Sequence, residues 1–176
     1  MACLSSRFPY GTPVTAQGLR MVDDAERVLR DCGFTQLRIR HHDEVARIEL
    51  EPEQLSSMLR DAALQSRVAS ELAALGYRVV TLDLHGFRSG SLNEVLGTAA
   101  STDLIDIAAD APHRPVPLAT ERRGPTLVVR MQSADVTRLA DLDVRASFVE
   151  RSTADAEIHY VALSLGGQTG PNGAKP

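Results

Sequence analysis

The sequence predicts an α/β protein, layered helix–hairpin–helix–strand, with a small C-terminal strand–helix–strand–strand extension. Three observations predict it. Leu19, Val22, Ala25 and Leu29 recur at helical spacing between Thr15 and Cys32, while Leu37-Arg38-Ile39-Arg40 alternates apolar with basic residues as a half-buried strand does. A second helical stretch then leads into the apolar run Tyr77 to Leu84. Alternation of helical and strand periods is the pattern of a layered α/β domain.

Each element has its own start and stop signals. Residues 1–13 hold Pro9, Gly11 and Pro13 and read as an extended loop. Thr15 suits a helix N-cap and Gly33 a stop. His41 to Glu44 turns the chain, and Val45 to Leu50 alternates again, which completes a hairpin. Pro52 suits a first helical position, opening a stretch from Glu53 to Leu75 with a break near Asp61 to Ser66, and Gly76 closes it. His85 to Ser91 is a polar loop punctuated by glycine. Pro112, Pro115, Pro117 and Pro125 mark an irregular crossing. Beyond it, Thr126 to Met131 reads as a strand, Ser133 to Ala140 as a short helix, and Val144 to Glu150 and Glu157 to Leu165 as two further strands. This divides the chain into residues 1–99, a linker at 100–125, an extension at 126–165 that either continues the first sheet or forms a small second unit, and a disordered tail at 166–176.

Composition narrows the classes of function. With 176 residues, 43% hydrophobic and 24% charged, the chain has the make-up of a globular domain. A net charge of −4 speaks against a nucleic-acid binder. No apolar run reaches the roughly 20 residues of a membrane span, and no secretory signal opens the chain, so a cytoplasmic protein is expected. Two cysteines, Cys3 and Cys32, make no disulfide framework. An exposed hairpin is expected to favour a homo-oligomer.

Several residues could carry chemistry. Cys3 lies in a polar loop beside Arg7, where positive charge favours a thiolate. Cys32, at a helix end, suits a small buried side chain. Arg38 and Arg40, two apart on a strand, share one face, and Arg47 on the return strand joins them if the register permits; converging guanidinium groups make a phosphate site. Glu26 falls between Val22 and Leu29 on the core-facing stripe, so it needs a cation, a metal or hydrogen-bond donors, which an arginine of the neighbouring hairpin or a bound Mg²⁺ would supply. Arg88 follows the Tyr77 to Leu84 strand, in the position where α/β sheets hold ligands. His41 and His42 read as surface residues of a turn, and no Cys/His spacing suggests zinc.

In order, Ala2-Cys3-Leu4-Ser5-Ser6-Arg7-Phe8-Pro9-Tyr10-Gly11-Thr12-Pro13, then Leu37 to His42 with Ala46-Arg47-Ile48-Glu49, then Val80 to Leu84 with Gly86 to Glu94, closely resemble the C-terminal domain of the LarE family of ATP-dependent sacrificial sulfur transferases. The resemblance runs from about Ala2 to Val95. It implies a sulfur-donating domain at 1–99 acting on an adenylylated pyridinium mononucleotide during nickel-pincer cofactor synthesis. Cys3 stands at the sacrificial position and Glu26 at a carboxylate near substrate or Mg²⁺, with Arg38, Arg40 and Arg88 as phosphate-binding positions. ATP and Mg²⁺ are the implied cofactors. The family's PP-loop domain has no counterpart here, so it is expected in trans or upstream of a truncated chain. The alternative expectation is a non-catalytic relic that binds a nucleotide phosphate or oligomerises.

Overall fold

A computed structural model describes residues 4–9, 11–88, 114–155 and 157–166. A 3₁₀ turn at Leu4–Arg7 precedes α1 (Ala16–Asp31), and the hairpin β1 (Leu37–His42) and β2 (Val45–Leu50) follows. Next come α2 (Pro52–Arg60), α3 (Ala62–Ala74) and β3 (Val79–Asp83). The later elements are β4 (Ala119–Arg123), β5 (Thr126–Arg130), α4 (Ser133–Arg138), α5 (Leu142–Ser152) and β6 (Tyr160–Gly166).

The expected local signals operate. The Thr15 side chain accepts from the Gly18 amide at 3.0 Å, satisfying one of the unpaired N–H groups that open α1. Gly33 ends that helix at φ 94°, and Asp43 turns the hairpin at φ 51°, a left-handed conformation that aspartate tolerates. The long helical stretch breaks at Asp61, whose carboxylate caps α3 by accepting from the Leu64 amide at 2.9 Å.

All six strands form one mixed sheet in the order β1-β2-β3-β6-β5-β4. β2 and β3 run parallel, as do β5 and β6, and the two pairs meet antiparallel at β3–β6. The residues after 118 therefore continue the first sheet. Strand β4 lies in the segment expected to be a linker. Its sequence, Ala-Thr-Glu-Arg-Arg, pairs with β5 alone, and such charged edge strands resemble loops in composition while discouraging pairing with other chains.

A second expectation is corrected at Val144 to Glu150, which is helix α5 and not a strand. Asp141 caps it, its carboxylate accepting from the Asp143 and Val144 amides. Phe148 and Ser152, four apart, are buried on its inner side. Short apolar alternation cannot by itself separate strand from helix, and here the cap decides. Arg145, also buried, ties α5 to α2 by donating to the Leu139 carbonyl, the Ser56 hydroxyl and the Pro52 carbonyl.

Strand alternation sorts the sheet into two chemically different faces. Leu37, Ile39, Ile48, Leu82, Val129, Val161 and Leu163 join the helices in one apolar core with Val22, Leu29, Leu55, Leu72 and Phe148. His41 also lies on the core side, which corrects its reading as a surface residue. Strand β1 runs through His42, so position 41 keeps the inward phase, and its Nδ1 lies 3.1 Å from the Tyr77 hydroxyl. The opposite phase places Arg38, Arg40, Arg47, Glu49, Thr81, Asp83 and Tyr160 on the other face.

Candidate functional site

On that second face the hairpin register sets Arg38 opposite Glu49 and Arg40 opposite Arg47. Glu49 is 1% exposed and is surrounded by guanidinium groups. Arg40 donates from Nε to its Oε1 at 2.9 Å, Arg47 lies 3.5 Å from the same oxygen, and Arg38 is 3.7 Å from Oε2. One carboxylate offsets one positive charge, so the hairpin alone carries an excess. Asp83, at the end of β3, supplies a second acid: its Oδ2 is 3.4 Å from Arg47 Nε, and its Oδ1 accepts from the His85 amide at 2.9 Å.

The later strands complete this cluster. Arg47 donates to the Thr126 hydroxyl at 3.2 Å and lies 3.9 Å above the Tyr160 ring, in cation–π geometry. Arg88 is 5.9 Å from that ring, and Arg38 sits 4.8 Å from the ring of Phe87, the residue before Arg88. The structure thus brings the three expected arginines onto one side of the sheet, with Arg47 between them. Arg38 Nε, Arg47 Nε, Glu49 Oε2 and Asp83 Oδ2 are buried and make no hydrogen bond among the described residues, although Arg47 Nε and Asp83 Oδ2 lie 3.4 Å apart as an ion pair and Glu49 Oε2 lies 3.7 Å from Arg38. Buried polar atoms left in this state mark a place where a ligand or water is wanted.

Burial sets the protonation of the neighbours. It raises the Asp83 carboxyl from its ordinary 3.8 to about 6, against the pull of Arg47. It lowers His85 to about 4, helped by Arg88 and Arg47, and it lowers His42 to about 3, so both imidazoles are neutral near pH 7. Burial, followed by the charge of Arg40, lowers Arg38 as well. The folded state holds the Asp83 proton to about pH 6, whereas an unfolded chain releases it near pH 4. The contribution of Asp83 to stability is therefore fully present below the lower value and is lost as pH rises between the two, by about 3 kcal/mol for a shift of two units. Urea unfolding of the wild type and Asp83→Asn across pH 4 to 7.5 reads this directly. The wild type is expected to lose stability relative to the variant over that window; parallel profiles would remove Asp83 as a titrating group.

Glu26 serves a different purpose. Its side chain is 2% exposed, and it accepts from Arg7 Nε at 2.9 Å and from Arg30 at 2.8 Å. It also lies 3.4 Å from the Ile39 amide on the outer edge of β1. Beside it, Arg40 donates to the Ser6 carbonyl at 2.7 Å. These contacts fasten the 3₁₀ turn along the edge of β1, with Ser6 against the arginine face. The cation that Glu26 requires is thus Arg7 with Arg30, and not a hairpin arginine. A Mg²⁺ ion at Glu26 would have to displace a guanidinium, and among the described residues no group of three His, Cys, Asp or Glu side chains could hold a metal ion.

Cys3 and the loop residues Ser89 to Glu94 lie outside the described residues. Cys32 is half-buried against the core, and burial raises its thiol pKa. Sequence reasoning did not single out Glu49, Asp83, Thr126 or Tyr160. Glu49 was within reach, because it stands two residues from Arg47 on the same strand face. Thr126 and Tyr160 gave no local signal, since only the β3–β6 and β5–β6 pairings bring them to Arg47.

The fold and this face define an α/β protein with a buried cluster of arginines and carboxylates suited to an anion. Comparison with known proteins gives the resemblance a particular shape. The pyridinium-3,5-bisthiocarboxylic acid mononucleotide synthase of Lactiplantibacillus plantarum is 46% identical over 96 residues, 54% of this chain and 34% of that protein. An uncharacterized protein of Synechocystis is 47% identical over 94 residues, 53% of this chain and 35% of its own length. The chain spans about a third of the length of these curated relatives. Its resemblance to the LarE family, over about half of its own length, is thereby shown. No family model matches. No helix among the described residues is long and apolar enough to cross a membrane.

Proposed function

We propose that this chain is the sulfur-donating part of a LarE-type sulfur transferase acting in nickel-pincer cofactor synthesis, with Cys3 as the sulfur source. The observation that carries this reading is the convergence of Arg38, Arg40 and Arg47 on Glu49, at the face where Arg40 holds the Ser6 carbonyl. Ser6 stands three positions after Cys3, a span of at most about 11 Å. A thiol so tethered stays within reach of an anion bound at the arginines.

The substrate in this reading is a pyridinium-carboxylate mononucleotide whose carboxylate has been adenylylated by a PP-loop unit, in trans or upstream, using ATP. The Cys3 thiolate attacks the acyl carbon, the bond from that carbon to the AMP oxygen breaks, and AMP leaves with the electron pair. A base then removes the Cα proton of Cys3. The Cβ–S bond breaks, the thiocarboxylate departs with its electrons, and dehydroalanine remains. Arg38, Arg40 and Arg88 bind phosphate and offset the charge that grows on the leaving AMP. Glu26 acts through Arg7 and the edge of β1, holding the Leu4–Arg7 turn beside the arginine face. It is a positioning residue.

Equilibrium dialysis with a pyridinium-carboxylate mononucleotide tests the site without requiring turnover. Arg38→Ala is expected to weaken binding roughly tenfold or more, the effect of losing one charge-assisted hydrogen bond. Arg67→Ala, which alters an exposed pair on α3, leaves it unchanged. Equal binding by wild type and Arg38→Ala would take the phosphate site away from this face.

A further inference from the structure

At the opposite end of the sheet, where the parallel strands β5 and β6 end, α2, α3 and α4 border a cavity of about 500 Å³. That volume lies within the range of roughly 300 to 1,000 Å³ typical of small-molecule sites, and the carboxyl ends of parallel strands are where α/β proteins often hold ligands. The cavity is separate from the arginine cluster, which lies toward the ends of β2 and β3.

Its lining divides into two kinds. Leu59, Val136 and Leu165 present apolar surface. Arg130, the last residue of β5, also lines the cavity, together with Ser133 and Ser164. Arg130 is exposed, and its guanidinium has no acid or carbonyl partner among the described residues, as is also true of the exposed Arg20 and Arg60, which do not line this cavity. The Ser133 and Ser164 hydroxyls likewise make no side-chain hydrogen bond there, although the hydroxyls of Ser66 and Thr137 are turned back onto their own helices. Leu118, 64% exposed, stands at the rim. The register puts Arg130 and Ser164 on the sheet face of the arginine cluster, whereas Leu59, Val136 and Leu165 lie on the helix side. The cavity therefore wraps the strand ends, with a cation and hydroxyls on one side and an apolar wall on the other, which suits a single anionic head on an apolar body.

We infer that this cavity is a second ligand site, for an amphipathic anion whose carboxylate or phosphate head is held by Arg130, Ser133 and Ser164. Its apolar body lies against Leu59, Val136 and Leu165, and Leu118 is covered at the rim.

The fluorescent probe 8-anilinonaphthalene-1-sulfonate tests this on the full chain, alongside its uncharged relative N-phenyl-1-naphthylamine. One saturable sulfonate site per chain is expected. Arg130→Gln weakens the sulfonate about tenfold, the loss of one charge-assisted contact, and changes the uncharged dye less than twofold. Thr137→Trp, at an exposed position whose new ring fills the cavity, abolishes both. Competition by octanoate against octyl phosphate then identifies the preferred head group. Circular dichroism establishes that the variants are folded, and mononucleotide binding at the arginine cluster is unchanged in both. The inference is overturned if sulfonate binding does not saturate, if it survives Thr137→Trp, or if Arg130→Gln weakens both dyes equally.

Discussion

Replacing Cys3 with serine is expected to abolish formation of the thiocarboxylate while leaving mononucleotide binding at the wild-type level. Serine keeps the size and hydrogen bonding of the side chain but has no sulfur to give, so the loss is complete and cannot be restored by more enzyme. Attack by the hydroxyl would yield an ester and no thiocarboxylate. The assay contains the chain, ATP, Mg²⁺, a pyridinium-carboxylate mononucleotide and a PP-loop adenylylating enzyme, with the product followed by mass spectrometry. A variant that still made thiocarboxylate would show that the sulfur comes from elsewhere, from Cys32 or from a free sulfide carrier. Cys32→Ser separates those two sources, and it is expected to be active because that thiol packs against the core.

The second large effect belongs to Arg40. This guanidinium donates to Glu49 at 2.9 Å and, alone among the described arginines of the hairpin, to the Ser6 carbonyl at 2.7 Å. Arg40→Ala leaves Glu49, 1% exposed, with Arg47 at 3.5 Å and Arg38 at 3.7 Å as its remaining cations. Removing one partner from a buried ion pair costs roughly 3 to 5 kcal/mol, and the two remaining arginines place this case at the lower end, about 3 kcal/mol in urea unfolding. Arg40→Lys keeps the charge but cannot span both acceptors, since an ammonium lacks the planar fork. It is expected to regain most of the stability and little of the transfer rate. Full activity in the lysine variant would mean that charge alone is needed at position 40 and that the hold on Ser6 is incidental.

How much of this was legible in the sequence depends on how local the signal is. Thr15, Gly33, Pro52 and Gly76 act within a few residues of themselves, so α1, the hairpin, the second helical stretch and β3 could be read from them. Period-2 alternation placed Arg38 and Arg40 on one face, and the helical wheel made Glu26 a buried carboxylate in need of a cation, which Arg7 and Arg30 supply. Harder were elements whose identity depends on distant partners. Strand β4 is too charged to announce itself and exists because β5 pairs with it. The α5 segment has apolar residues at both strand and helix spacing, and only the Asp141 cap separates the two. Arg47 joins Arg38 and Arg40 through the hairpin register, which its place on the return strand made legible. Tyr160 and Thr126, which complete its surroundings, arrive from strands more than 75 positions later in the chain, and no local pattern encodes that.

The central claim, that Cys3 gives up its sulfur, is tested most directly by the intact mass of the chain before and after one round with the adenylylated mononucleotide. The account predicts a loss of about 34 Da, the mass of H₂S removed when cysteine becomes dehydroalanine. Tandem mapping should place that loss at position 3, with one thiocarboxylate formed per chain. Thiocarboxylate formed without any change in the mass of the chain would contradict it.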